Sequence, residues 1–251
     1  MPNGYISTDR VLAKLDEFFG RNDYVSAEKH ILYWLSEAEN ANDKKCIILL
    51  KNELMGLYRK LSRQDDALEV VSSALALIAD MGIENNIGAG TTYLNCATVY
   101  KAFGMAERSM PLFEKTLDIY EKELEPCDKR FGGLYNNMAL ALVDLKRFDE
   151  AYMFYDKAVS VMESVENGEL EVAITYLNIA SAKESESGAV DSERAVTEYL
   201  EKAIAILDNH PNKDGYYAFV CDKCASVFGY FGYFLYEKEL NERARRIYEG
   251  A

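Results

Sequence analysis

The sequence predicts an all-α protein, a solenoid of stacked antiparallel helix pairs, and three observations carry that prediction. Small and apolar residues recur three and four apart, the spacing that gathers them on one face of a helix. A pattern of aromatic, asparagine and alanine returns with a period near 42 residues. Proline is scarce, four in 251 residues, while 49% of the residues are apolar, so there is material for a core and little to break a helix.

The clearest copies are YLNCATVYKAFGMAERSMPLFEKT from Tyr93 and YNNMALALVDLKRFDEAYMFYDKA from Tyr135. In each, an aromatic opens, asparagine follows at Asn95 or Asn137, and alanine at Ala97 or Ala139. A small residue, Ser109 or Ala151, then precedes an aromatic at Phe113 or Tyr155. YLNIASAK from Tyr176 begins a further copy, with Asn178 in the asparagine place. Upstream, Tyr58, Ala67, Val71 and Ala74 define a second copy, and Leu15, Phe18, Ala27, Ile31 and Trp34 a first. Downstream, the aromatic stretch FGYFGYFLY is read as the first helix of a sixth, with Phe228, Phe231 and Leu235 packed inward. Gly232 takes a small slot there, and Ala244, Tyr248 and Ala251 stripe the second helix.

The expected repeats cover 8–40, 48–82, 90–124, 132–166, 173–209 and 215–251, all in one domain. The fifth carries an insertion, ESESGAVDSE at 184–193, read as a polar loop or a helix extension. GM, SRQD and KRFD supply short polar turns inside the pairs. A single pair cannot bury its stripe alone, so the pairs must stack.

This pattern resembles the tetratricopeptide repeat family over nearly the whole chain, and its long period is similar to the kinesin light chain subtype. The family's closing proline is missing, Lys51 stands where the second copy's opening aromatic belongs, and Lys183 replaces a core aromatic in the fifth. The resemblance implies a right-handed α-solenoid whose first helices line a concave groove that holds an extended peptide or a partner helix.

Composition narrows the partners. A net charge of −14 opposes binding to a polyphosphate, so nucleic acid is not expected. MPNGYISTDR has no apolar core or basic flank, which argues against a signal peptide. The uncharged run from Ala225 to Tyr236 is twelve residues, short of the ~20 that cross a bilayer, so no membrane partner is expected. Five scattered cysteines suit reduced thiols in the cytoplasm.

Catalytic constellations are absent from the pattern. His30 and His210 have no partner at metal-protease spacing, and no nucleophile elbow occurs. Cys221 and Cys224 form a C-x-x-C without a second pair to complete a zinc site, and read as small apolar residues on one helix face. IGAGTT lacks the lysine of a phosphate loop and reads as a flexible entry to the third repeat. No enzyme activity, metal or cofactor is expected.

Carried over residue by residue, the resemblance makes the third place of each opening motif the informative one: Glu53, Asn95, Asn137, Asn178 and Tyr230. The carboxamides can donate to and accept from a peptide backbone, or can simply bond neighbouring helices. One turn on, Arg59, Lys60 and Lys101 form a basic cluster suited to an acidic side chain or a terminal carboxylate. Tyr230, Tyr233 and Tyr236, three apart, would form an aromatic wall. With no capping helix after the last repeat, a homodimer through the C-terminal repeat is a further expectation. The function expected is a protein- or peptide-binding scaffold; a peptide-sensing regulator acting by contact and a self-assembling module are the alternatives.

Overall fold

The computed structural model describes residues 6–250, which form eleven α-helices in two compact units, Met1–Glu123 and Leu124–Ala251. In the first unit α1 (Thr8–Gly20) pairs with α2 (Tyr24–Asn40), α3 (Lys44–Lys60) with α4 (Gln64–Met81), and α5 (Ile87–Ala102) with α6 (Ala106–Glu123). In the second, α7 (Arg130–Asp144) pairs with α8 (Phe148–Glu163), α9 (Glu169–Asn209) supplies both helices of a pair, and α10 (Gly215–Tyr230) packs on α11 (Phe234–Tyr248).

One backbone device closes five of the pairs. Asn22, Ser62, Gly104, Lys146 and Gly232 adopt left-handed φ between 54° and 83°. The next amide in each case reaches back five residues at 2.9 Å: Asp23 to Phe18, Arg63 to Tyr58, Met105 to Tyr100, Arg147 to Leu142 and Tyr233 to Phe228. The bend satisfies carbonyls that a helix end would leave open, and it reverses the chain in three residues. Helix starts are fixed by side chains: Asp23, Asp43, Asn86 and Asp214 accept amide hydrogens of the first turns of α2, α3, α5 and α10.

These bends set the repeat register independently of any residue pattern. Five residues after each left-handed residue stand Ala27, Ala67, Ser109, Ala151 and Glu237. The first four are fully buried where the two helices cross, as their small size predicts. The sixth repeat departs from expectation. FGYFGYFLY is not one helix: α10 ends at Tyr230, Gly232 at φ +83° makes the bend, and α11 starts at Phe234. Phe228 is buried as expected, Phe231 is half-buried in the turn, and Leu235 is 85% exposed. Ala244 is buried one step further along α11 than the reading had it, and Ala251 lies outside the described residues. Aromatic density signals a core without giving its phase, whereas the left-handed glycine gives the phase.

The fifth repeat also differs. From Asn178 to Val196 is 18 residues against 14 from Asn137 to Ala151, so the extra length is four, about one helical turn. It lengthens helix instead of making a loop across 184–193. The reversal within α9 falls on Gly188 (φ 81°, ψ 165°), a conformation open to glycine. The halves then share one core, Ala173, Leu177 and Ala180 with Val196, Leu200 and Ala203. Lys183, in place of a core aromatic, lays its ammonium 3.6 Å from the centre of the Tyr152 ring.

IGAGTT is helical, not a flexible entry: it begins α5, capped by Asn86. Gly90 there is buried, and a Cβ on it would stand 3.1 Å from Tyr120, so the glycine lets α5 and α6 approach closely.

First helices pack directly on one another, α3 on α5 in the first unit and both α7 and α10 on α9 in the second. No comparable packing joins α2 to α4 or α4 to α6 among the described residues. In the first unit α3 and α5, and in the second α7, α9 and α10, therefore form the inner layer, with one face left open. The last second helix is finished differently. Where α6 has Met110, Phe113 and Leu117, α11 has Lys238, Asn241 and Arg245 at the equivalent places. That stretch of α11 is polar, and the helix's exposed large apolar residues are Phe234, Leu235, Tyr236 and Tyr248.

Candidate functional site

In the second unit the open face follows from the register. Nine residues before each bend stand Asn137 on α7 and Lys223 on α10, and Asn178 holds the matching place on α9. Asn137 donates its side-chain NH2 to Gly133 O at 2.8 Å, and Asn178 donates to Asn136 Oδ1 at 3.1 Å. Both amides have thus committed a donor to the fold, and their oxygens remain available as acceptors. Leu140 and Ile174 lie between them, half-buried. This mixture of carboxamide oxygens and apolar side chains matches an extended backbone, whose N–H groups need acceptors.

Three residues of this face were not singled out in the sequence. Tyr216 and Phe219, 43% and 40% exposed, stack with ring centroids 6.1 Å apart, and the Lys223 ammonium stands 5.2 Å from the Phe219 ring. The Tyr216 hydroxyl bonds to Glu171 on α9, and burial with that carboxylate pushes its pKa up. They became visible only once Gly232 was placed in the bend, because that shift moves Lys223 into the position assigned to Tyr230.

The tyrosine wall does not form. Tyr230 ends α10, exposed, and its hydroxyl donates to Glu184 at 2.8 Å. Tyr233 lies in the bend with its hydroxyl 3.1 Å from that of Thr197, and Tyr236 on α11 packs against Phe228 at 5.5 Å. A spacing of three aligns residues only within one helix: the bend at 231–233 sets Tyr230 apart, while Tyr233 and Tyr236 stack with ring centroids 6.3 Å apart.

In the first unit the open face carries Glu53 and Arg59 on α3 and Asn95 and Lys101 on α5. Arg59 and Lys101 hold equivalent places, each three residues before its bend. Lys60 leaves the expected cluster, because its ammonium lies 5.0 Å from the ring of Tyr24, the first residue of α2. Arg59 is exposed, yet burial by its surroundings lowers its pKa, which is how a side chain in a hollow behaves.

The groups considered for chemistry are occupied structurally. His30 Nε2 lies 3.0 Å from Val11 O, between Phe18 and Trp34, and His210 stacks on Tyr217. Cys221 and Cys224 are fully buried, and burial pushes the Cys224 thiol up to about 12, away from the thiolate that metal binding or redox exchange requires. No cluster of three or more metal-ligating side chains occurs among the described residues, and no helix there is long and apolar enough to cross a membrane.

Repeated helix pairs closed by left-handed bends, with an open inner face, define a tetratricopeptide-like repeat protein, and solved structures agree. The chain is similar to BtubC (BKLC) from P. vanneervenii, with TM-score 0.66 and 20% identity over 82% of this chain and 83% of that one. It is also similar to the nearly identical TPR-like repeats of a kinesin light chain-type protein from Podosopora anserina, with TM-score 0.54 and 18% identity over 78% and 92%. No protein-family model and no curated protein matches the chain. The protein has the TPR-like solenoid fold.

Proposed function

We propose that the protein is a non-catalytic scaffold that binds a peptide or protein segment on the open faces of its first helices. One observation supports this most directly: Asn137 and Asn178 each spend a donor on the fold and keep a carboxamide oxygen, and Phe219 on α10 in the same unit is exposed. Acceptors at repeat spacing suit the N–H groups of an extended chain, and the exposed ring supplies apolar area for a side chain. Cys46, Cys96, Cys221 and Cys224 are buried free thiols, which suits a reducing compartment such as the cytoplasm.

The test compares the native chain with an Asn137→Ala, Asn178→Ala, Phe219→Ala variant, each immobilised and exposed to the same peptide library. Peptides held by the native chain should lose at least tenfold in affinity on the variant, about 1.4 kcal/mol, with helicity retained. Equal retention by both would remove the second unit's open face as the site. Loss of helicity in an Asn137→Ala, Asn178→Ala pair would assign the carboxamides to the fold alone. Binding of the protein only to itself, by light scattering, would favour the self-assembling module.

A further inference from the structure

On the first unit's open face, Glu53 and Arg59 are charges that the fold leaves unmatched among the described residues. Glu53 is half-buried on α3 and makes no hydrogen bond or ion pair among the described residues; Asp16 on α1, which is exposed, makes none either. Burial, and then the charge of Asp16, raise the Glu53 carboxyl above the usual range, so the two acids feel one another. Arg59, six residues further along α3, is likewise without a hydrogen bond or ion pair among the described residues. Six residues span about 9 Å along a helix axis, too far for Glu53 and Arg59 to satisfy each other. Between them lies Gly56, where a Cβ would meet nothing within 4 Å, so the floor of the face is open. Lys101 repeats the Arg59 place on α5. The face thus has an acidic flank, Asp16 and Glu53, and a basic flank, Arg59 and Lys101.

We propose that this face docks an extended segment of a partner protein in which basic and acidic side chains alternate. The idea rests on the scaffold reading above and adds the partner's chemistry. An extended strand sends successive side chains to opposite sides. Laid across α3 and α5, it directs every second side chain to the acidic flank and the rest to the basic one. Lysine or arginine then meets Glu53, and aspartate or glutamate meets Arg59. A half-buried charge such as Glu53 is costly when unpaired and favourable when a partner supplies the opposite sign, and the exposed Arg59 adds the phase. A segment with its charges in blocks places like signs against one flank.

A dodecamer peptide library selected on three proteins tests this. They are the native chain, a one-flank variant (Arg59→Glu, Lys101→Glu), and a two-flank variant that adds Asp16→Lys and Glu53→Lys. The native chain should enrich alternating charges. The one-flank variant should lose them, having acids on both sides. The two-flank variant should recover them, since an alternating segment fits again after shifting by one residue. A direct check on the native chain compares a synthetic alternating Lys–Glu dodecapeptide with a block peptide of equal composition, with at least a tenfold preference expected for the former. Enriched peptides without alternation, with like charges three and four apart as on a helix, or unaffected by the one-flank variant would overturn this proposal and leave the scaffold reading standing. Equal affinity for the two synthetic peptides would overturn it as well. No enrichment on any of the three proteins would overturn both.

Discussion

Ile6–Glu123 and Leu124–Gly250 are closed by the same bends, yet they present different chemistry from equivalent places. Nine residues before the bend, α3 has Glu53 while α7 has Asn137 and α10 has Lys223; three before it, α3 and α5 carry Arg59 and Lys101 while α7 has Val143. At these places the first unit adds Glu53, Arg59 and Lys101 to one carboxamide, Asn95, while the second adds the exposed rings of Tyr216 and Phe219 to Asn137, Asn178 and Lys223. Buried positions, in contrast, keep their character: Phe113 and Tyr155 are both fully buried nine residues after their bends. Packing against the adjacent pair constrains the inside to shape and apolarity. The open face answers to whatever lies on it, so it is free to differ.

The interior half of this comparison carries the largest expected effects. Phe113→Ala and Tyr155→Ala should each destabilise by about 3–5 kcal/mol in chemical denaturation, because each empties a closed site. The positions part at the hydroxyl. Tyr155 Oη is buried without a hydrogen-bond partner, and burial raises its pKa. Tyr155→Phe should therefore be neutral or stabilising, by up to ~1 kcal/mol. A loss above that range would mean the hydroxyl is satisfied after all.

Next in size is the helix crossing. Ser109→Leu and Ala151→Leu should cost about 1–3 kcal/mol each, since both sites are closed and overpacking strains them. Glu237 already fills the same place in the last repeat, packed against Gly229, where a Cβ would overlap its carboxylate. Glu237→Leu should therefore change stability by no more than ~0.5 kcal/mol, as expected where room for a long side chain exists. Equal costs at all three sites would refute the register that the bends assign.

A smaller effect distinguishes the second repeat from the third. Lys115 on α6 covers the Tyr93 ring at 4.4 Å, and Lys157 and Lys202 repeat the arrangement over Tyr135 and Tyr176. In the second repeat the cation has changed sides: Lys51 on α3 donates to Ser73 on α4 at 2.8 Å. Lys115→Ala should cost about 0.5–1 kcal/mol. Lys51→Tyr with Ser73→Lys should rebuild the third repeat's arrangement and lie within ~0.5 kcal/mol of the native chain by thermal melting.

The sequence disclosed the helix pairs of repeats one to four because a small residue at the crossing and a large apolar residue four later are both demanded by packing. Ala27 and Ile31, Ala67 and Val71, Ser109 and Phe113, and Ala151 and Tyr155 obey the same geometry. The last repeat misled because Glu237 stands in the small slot, with space created by Gly229 on the other helix, a compensation between residues distant in pattern. Lys51 and Lys183 read as defects for the same reason, since the partners that accommodate them, Ser73 and the Tyr152 ring, lie on other helices. Of the open faces, the asparagine row was legible as positions. That its donors are committed, and that Tyr216, Phe219 and Lys223 stand with it, depended on bends and rotamers that local pattern does not encode.

The subtlest expected effect joins the charged face to stability. Glu53 titrates above its usual value in the fold because burial, reinforced by Asp16, disfavours the carboxylate. A carboxyl raised in the folded state binds its proton more tightly there than in the unfolded chain, so its neutral form is favourable to folding. That contribution is full below the unfolded value and is lost as pH rises through the folded one. At neutral pH Glu53 is therefore a standing cost, and Glu53→Gln should melt higher than the native chain. The difference should close as the pH falls below the unperturbed carboxyl value of 4.5. Melting both proteins from pH 7 to pH 4 checks the sign, since other carboxylates cancel in the difference. A gap that is absent at pH 7, or that persists at pH 4, would mean Glu53 is not strained by its position. A gap that appears as described marks a charge held ready for a cation from outside the fold, in a unit whose counterpart has no such group at the same place.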